Sequence, residues 1–502
     1  MVTEIRSMGL SGIRGYGVTI ECALSGGLPA IDVVGLPDTA VREARERVRS
    51  AIKANGLKFP ASRITINLAP AWAKKEGTLY DLPILLAILT AAGDIKPIEK
   101  GSAFVGELSL GGELRPVRGA LSMALAAERE GIKKLFLPEE NAPEAAFAEN
   151  VEVYPVTDVA QLLAHLRGED EIPPARPRVY EPCEEFGVDF SQVVGQENVK
   201  RALEIAAAGG HNVLMSGSPG SGKSMLAKRI PSILPAMSRE EALETTEIHS
   251  IVGLTDRDMP IINMRPFRAP HHTVSPTAIS GGGSRPKPGE ASLAHNGVLF
   301  LDELPEFHKD ALEVLRQPME DGQITISRVA GAETYPCRFM LVCAMNPCKC
   351  GWYGHPSGRC TCSENAVKQY RSRISGPMLD RIDIFIDVPS VEFSALSQRP
   401  DSETSGDIRA RVNAARRLQE ERYEGTGVHC NAHMTGEQIK KYCALDDRGT
   451  ALMKGAFDRL GLTARSFDKI LKVARTIADM DGSENIQMQH LAEAIQYKSA
   501  IK

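Results

Sequence analysis

Gly217-Ser218-Pro219-Gly220-Ser221-Gly222-Lys223-Ser224 places four residues between a glycine and a Gly-Lys-Ser, the spacing of a phosphate-binding loop. Asn212-Val-Leu-Met-Ser216 before it reads as a short buried strand, and Met225-Leu-Ala-Lys-Arg-Ile230 after it opens a helix. A ligand-free glycine turn is the competing reading, and the strand–loop–helix context argues against it. Glycines let several backbone N–H groups turn inward, and the positive end of the following helix adds to their attraction for phosphate. In this pattern Lys223 reaches the outer phosphates and Ser224 holds Mg2+.

A second stretch works with the first. Gly297-Val-Leu-Phe-Leu-Asp302-Glu303 is an apolar strand ending in two carboxylates. In a parallel sheet such a strand delivers its acids to the carboxyl edge, where ligands bind. Asp302 can then hold Mg2+ through water, and Glu303 can orient and deprotonate an attacking water. The pair implies ATP hydrolysis in an α/β fold.

Composition sets the bounds. The 502 residues are 43% hydrophobic and 25% charged, ordinary for about three globular domains. A net charge of −5 excludes a global basic field, so any nucleic-acid contact must be local. The most apolar run, 82–92, is too short to span a bilayer, and the first residues lack a secretory layout, which points to a cytoplasmic protein without membrane contact. Ten cysteines in a chain this long do not suggest a disulfide framework.

Residues 1–167 read as one α/β domain. Strands are predicted at Gly17–Cys22, Ala30–Val34 and Ile64–Leu68, a helix capped by Asp38 runs to about Asn55, and another spans about Asp81 to Ala92. The first helix puts Arg42, Arg45, Arg47, Arg49 and Lys53 on one face, read as solvated with a DNA site as the alternative. Lys75-Glu-Gly-Thr-Leu-Tyr-Asp81 and Val105-Gly-Glu-Leu-Ser-Leu-Gly-Gly-Glu-Leu-Arg-Pro-Val-Arg-Gly119 resemble the proteolytic domain of Lon proteases, a ribosomal S5 domain 2-like fold. That family uses a Ser–Lys dyad, and the matching positions fall near Leu79 and Met123, which can supply neither nucleophile nor base. The resemblance therefore implies a non-proteolytic domain for assembly or nucleic-acid contact.

An acidic, Pro-rich linker is expected at 168–189, then a nucleotide-binding core at 190–388, a second linker at 389–406 and a helical remainder at 407–502. Between 260 and 295 lies a Pro/Gly-rich insertion whose Arg265, Arg268, His271, His272, Arg285 and Lys287 could face a polyanion; an ordinary surface loop is the alternative, and the histidine pair reads as structural or DNA-contacting ahead of metal-binding. A hairpin is predicted to turn at 330–333, with a core strand following and ending in Asn346. Cys348, Cys350, Cys360 and Cys362 form C-x-C-x9-C-x-C, able to wrap a tetrahedral structural Zn2+; an Fe–S cluster, free buried thiols, or His355 in place of one thiol are the other readings.

Almost the whole chain resembles the magnesium-chelatase-like AAA+ proteins of bacteria, the ComM/YifB family. The resemblance is carried by the dyad-less Lon-like domain, Phe267-Arg-Ala-Pro-His-His-Thr273, Gly297 to Glu303, the cysteine cluster, Gly376 to Asp383, and Ala464 to Ala478. It implies an AAA+ core with a helical lid. Asn346 takes the sensor-1 position, Arg465 the sensor-2 position, and Arg381 that of a finger reaching a neighbour's nucleotide, with Arg373 in reserve and an ordinary ion pair as the alternative for Arg381. It also implies a homo-hexamer that drives branch migration on single-stranded and branched DNA and aids integration during natural transformation. A chelatase motor subunit, a protein unfoldase and a non-enzymatic scaffold are the rival readings, the last opposed by intact Lys223, Asp302 and Glu303.

Overall fold

Val18, Ile20 and Cys22 are buried at alternate positions of Arg14–Ser25, and Ile64, Ile66 and Leu68 repeat the period along Arg63–Ala69. That alternation commits one face of each strand to a core. The computed structural model describes residues 2–183, 186–255, 257–283, 286–328, 331–390 and 402–499, which fall into two units. One contains the chain up to 181 together with 239–263, and the other contains 182–238 and the chain from 264 onward.

The first unit is built on a seven-stranded mixed sheet. Its order is Ala30–Val34, Arg63–Ala69, Arg14–Ser25, Val2–Ser11, Ser102–Phe104, Lys134–Pro138 and Glu152–Val156. Helices Thr39–Ala54, Asp81–Ala92 and Ala120–Arg129 contribute to its core. Asp38 caps the first of these, accepting from the Val41 amide at 2.9 Å. Asp81 to Leu89 are buried without a break. Arg47 is not on a solvated face: its Nε lies 2.6 Å from Asp81 Oδ2, because a carboxylate buried at the head of so apolar a helix needs a counter-charge. Leu79 and Met123 are both core residues, so neither dyad position carries reactive chemistry.

Two segments join this unit that the sequence reading placed elsewhere. Residues 168–181 run along its surface as a strap, with Ile172 buried, the Ala175 amide donating to Val153 O at 2.7 Å and the Arg178 amide to Ala146 O at 2.9 Å. The helix Arg239–Ser250 packs Leu243 against Leu121 and Phe147. Buried Glu144 accepts from the Leu121 amide at 2.9 Å, from Thr255 Oγ1 at 3.1 Å and from Ser250 Oγ, which itself accepts from the Gly119 amide at 3.0 Å.

Burial raises the Glu247 carboxyl on that helix from its ordinary 4.5 to about 7, with Arg129 pulling the other way. The native state thus holds this proton more tightly than the unfolded chain. Its contribution is complete below about pH 4.5 and is lost as pH rises through about 7. Glu247→Gln is expected to flatten that slope and to stabilise the first unit at pH 8 by on the order of 2 kcal/mol; thermal unfolding from pH 5 to 8 checks it.

The second unit centres on a five-stranded sheet in the order Phe267–Arg268, Val298–Leu301, Met340–Met345, Val213–Ser216 and Ile384–Asp387, every pair parallel. Continuous apolar runs suit strands covered on both faces. The helices Ser405–Arg422, Gly436–Tyr442, Asp447–Leu460, Ala464–Met480 and Met488–Ser499 share one hydrophobic cluster with Glu197–Gly209 and the sheet. Thr404 caps the first of them. Of the expected linker 389–406, residues 391–401 lie outside the described residues. Arg475 is structural: its Nε is 3.1 Å from buried Asp479, and its other nitrogens donate to the Glu484 and Ser483 carbonyls.

Candidate nucleotide site

The glycine loop leaves the buried strand Val213–Ser216 at the carboxyl edge of the sheet. A Cβ on Gly217 would stand 2.5 Å from Val388 O and 2.8 Å from Ser221 Oγ, so only glycine fits there. Gly220 and Gly222 take φ of 79° and 91°, and the helix Lys223–Ile233 begins at the lysine. Lys223 Nζ donates to Gly217 O at 2.7 Å, Ser218 O at 3.0 Å and Asn346 Oδ1 at 3.3 Å. Burial holds its pKa below the ordinary value, with Asp302 opposing. Gln196, on the segment expected to open this unit, donates from Nε2 to Ser221 O and Pro389 O, both at 2.9 Å.

Ser224 Oγ donates to Asp302 Oδ2 at 2.6 Å, a hydroxyl and a carboxylate side by side as a Mg2+ site requires. Glu303 follows with φ of 54°, a left-handed conformation that costs a non-glycine residue about 1 kcal/mol and concentrates at functional sites. Its amide donates to Asp302 Oδ1 at 2.9 Å. Glu303 Oε2 stands 3.3 Å from His272 Nδ1, and that ring lies 4.0 Å from His271 and 6.4 Å, edge-on, from Phe307. The histidine pair is therefore not a free polyanion surface. His272 touches the candidate base, a role the sequence reading missed because nothing local links position 272 to position 303. Its one trace was the motif Phe267–Thr273.

The structure thus brings Lys223, Ser224, Asp302, Glu303 and Asn346 together. Glu303→Gln is expected to leave ATP binding in place and to lower turnover on the order of 10²–10⁴-fold, the share a positioned general base supplies. Single-turnover hydrolysis alongside a nucleotide-binding titration checks it, and wild-type turnover would remove Glu303 as the base.

Arg381 and Arg465 are not part of this group. Arg381 donates to Glu320 and to Pro377 O at 2.8 Å, and Arg465 lies 4.0 Å from the same Glu320. They line a cavity with Asn212, Arg338 and Asp383. Asn212 and Asp383 precede the first residues of their strands, whereas the glycine loop follows the last, so the two arginines sit at the amino edge, about 13 Å of strand away. Buried Asp383 is held well below the usual carboxylate range: burial alone would raise it, but the Lys469 ammonium at 2.6 Å outweighs that. Arg373 pairs with Glu306 at 2.7 Å.

The insertion departs from expectation. Arg265 donates to the carbonyls of Pro235, Ala236 and Asn296 at 2.6–3.2 Å, and Arg268 grips Glu290 with two bonds of 2.7 and 2.8 Å. Both are engaged within the chain instead of facing a polyanion. Lys287 is exposed; Arg285 and the Arg328 side chain lie outside the described residues. The hairpin pairs Gln323–Arg328 with Gly331–Pro336 and closes at Arg328↔Gly331, so 331–333 belong to its second strand and not to the turn. A smaller ribbon, Gly281–Gly282 with Lys287–Pro288, joins it through Tyr335 Oη donating to Pro286 O at 2.9 Å.

The four cysteines do converge. Their Sγ atoms all lie within 4.8 Å of one another, with 3.8 Å from Cys348 to Cys360, 3.7 Å from Cys350 to Cys360 and 3.3 Å from Cys348 to Cys350. Thiolates at about 2.3 Å around a tetrahedral Zn2+ stand about 3.8 Å apart, so the set fits such an ion. His355 is bonded instead to Ser357 and Ser390.

Among the described residues no helix is long and apolar enough to cross a membrane. A family model described as magnesium chelatase, subunit ChlI, matches residues 189–396; companion models for subunit ChlI and its C-terminal part match 20–141 and 402–498. The chain is 42% identical over 497 residues to the competence protein ComM of Haemophilus influenzae, covering 98% of this chain and 96% of that one. It is 44% identical over 491 residues to the uncharacterized protein YifB of Salmonella typhimurium, covering 97% and 95%. A Lon protease of Brucella suis is 28% identical over 165 residues, 30% of this chain and 20% of the protease.

Proposed function

The chain belongs to the ComM/YifB-type magnesium-chelatase-like proteins, and from that premise we propose that it is an ATP-driven ring motor that promotes branch migration of DNA recombination intermediates and aids DNA integration in natural transformation. The observation that carries the motor half is the meeting of Lys223, Ser224, Asp302, Glu303 and Asn346 at one sheet edge. The DNA half rests on the name of the Haemophilus relative.

Each residue then has a task. Amides of the loop 217–224 cradle the phosphates, and Lys223 turns from its own carbonyls to the β- and γ-oxygens. Ser224 and Asp302 hold Mg2+, which when bound neutralises phosphate charge. Glu303 takes the proton of the attacking water, His272 holds the carboxylate in reserve, and Asn346 orients the water. Arg381 and Arg465 sit at the far edge of their own sheet, a placement that favours action on the neighbouring subunit's nucleotide. Repeated head to tail, such an interface closes a ring, here a homo-hexamer. The helices from 405 act as the lid, the first unit as a non-proteolytic assembly or DNA-contact domain, and Zn2+ as the ion of the four cysteines. Two joined ribbons carrying Lys287 form the candidate DNA-facing element, and the cytoplasm is the proposed compartment.

The test is ATP turnover alone, with single-stranded DNA and with a branched junction, at two salt concentrations. Stimulation that weakens with salt is expected, because phosphate contacts release counterions. A flat response to both DNAs would sink the DNA assignment. The magnesium-chelatase description of the family models favours a second reading, a motor that serves a tetrapyrrole-metallating partner; turnover dependent on such a partner and indifferent to DNA would select it.

A further inference from the structure

The cysteine cluster does more than tie off a surface loop. Cys348 is fully buried two residues beyond Asn346, so one ligand hangs directly from the end of the strand that carries the sensor asparagine. Gly351 lies flush against the glycine loop: a Cβ there would be 2.5 Å from Pro219 Cγ and 3.9 Å from Asn346 Cγ. A second route runs through side chains. His355, between the two cysteine pairs, has Nε2 3.2 Å from Ser390 Oγ, which is 2.9 Å from Ser218 Oγ of the glycine loop. The cysteine segment therefore packs against Pro219 through Gly351 and reaches Ser218 through Ser390, which bonds to both His355 and Ser218.

Apart from ring contacts of Trp352 with His355 and Arg359 and of Tyr353 with Arg371, the segment making these contacts is shaped by no regular structure. Residues 349–362 contain neither helix nor strand, and Gly351, Gly354 and Gly358 all take positive φ. Cys350, Cys360 and Cys362 are only half-buried, so no apolar core orders them. Four thiolates on one ion would provide the order that packing does not.

We propose that the metal bound by Cys348, Cys350, Cys360 and Cys362 holds Ser218 and Pro219 in the phosphate-receiving conformation, so that loading of the cluster sets the affinity for ATP. This rests on the zinc reading above. With the ion in place, Gly351 and His355 fix the loop before nucleotide arrives and less ordering remains to be done on binding. Without it, the same amides must be ordered by the nucleotide itself.

The experiment uses the full chain, a chromogenic zinc assay and titration with a fluorescent ATP analogue. Wild-type protein is expected to carry stoichiometric zinc. The double variant Cys360→Ser/Cys362→Ser is expected to lose it and to bind the analogue on the order of ten- to a hundred-fold more weakly, the size of effect that misplaced positioning groups produce. Wild-type protein that acquires no zinc even when it is supplied would overturn the metal reading beneath the proposal. Zinc lost with unchanged nucleotide affinity would overturn the coupling and leave the metal reading standing. Should the double variant not fold, His355→Ala decides: zinc is retained and affinity falls about two- to ten-fold, as for one net hydrogen bond. Unchanged affinity in that variant overturns the proposal equally.

Discussion

Lys223→Ala is expected to abolish ATP binding and with it all turnover. The ammonium is held by two carbonyls of the loop that would receive the phosphates, with Asn346 at 3.3 Å. It is buried, so its charge acts in a medium of lower dielectric than water. Alanine removes the one side-chain ammonium that the loop 217–224 itself carries. The fold should survive, because the strand Val213–Ser216 and the helix behind the loop are held by the hydrophobic core. Isothermal titration with ATP, beside a thermal-unfolding control, reads the result. Binding within about three-fold of wild type, a difference of only about 0.7 kcal/mol, would refute the assignment.

Arg381→Ala is expected to leave ATP binding nearly intact while turnover falls on the order of 10³-fold or more, the worth of an arginine finger. The side chain stands at the amino edge of its own sheet and cannot serve its own glycine loop. Its partner Glu320 is 52% exposed, so that pairing can be exchanged for a phosphate offered by a neighbour. Mixing makes the test sharp. Lys223→Ala subunits keep Arg381 but bind no nucleotide, and Arg381→Ala subunits bind nucleotide but lack the finger. Each variant alone should be inactive, whereas a mixed ring contains interfaces with both parts. Turnover should reappear on mixing; co-assembled rings that stay silent would exclude action in trans.

What could be read from the sequence was local. The glycine loop, Asp302, Glu303 and Asn346 each follow a buried apolar strand, and period and spacing place them at one edge of a parallel sheet without knowledge of the rest. The cysteine pairs declared themselves by spacing, and the Asp38 cap of Thr39–Ala54 by residue type. What could not be read was partnership at a distance. Arg265 and Arg268 look like a basic patch until the Pro235 carbonyl and Glu290 are seen beside them. Arg47 looks solvated until Asp81 is found 34 residues away. His272 meets Glu303 across 31 positions by the chain numbering, and neither residue type forecasts the other. The sequence places the hairpin turn a few residues late because no Asn-Gly or Asp-Gly stands between the two strands to mark it.

The excursion at 239–263 also limits how the chain can be divided. The first unit is assembled from two pieces of the gene, separated by the stretch that carries the whole glycine loop. Expressed as residues 1–181 it would lack Leu243, Ser250 and Thr255, leaving Leu121 and Phe147 without their cover and Glu144 without its hydroxyl donors. Removed by truncation, it would strand its own helix inside the nucleotide-binding unit. A single recombination crossover can neither graft this domain onto another chain nor delete it from this one, so its inheritance is bound to that of the nucleotide-binding unit.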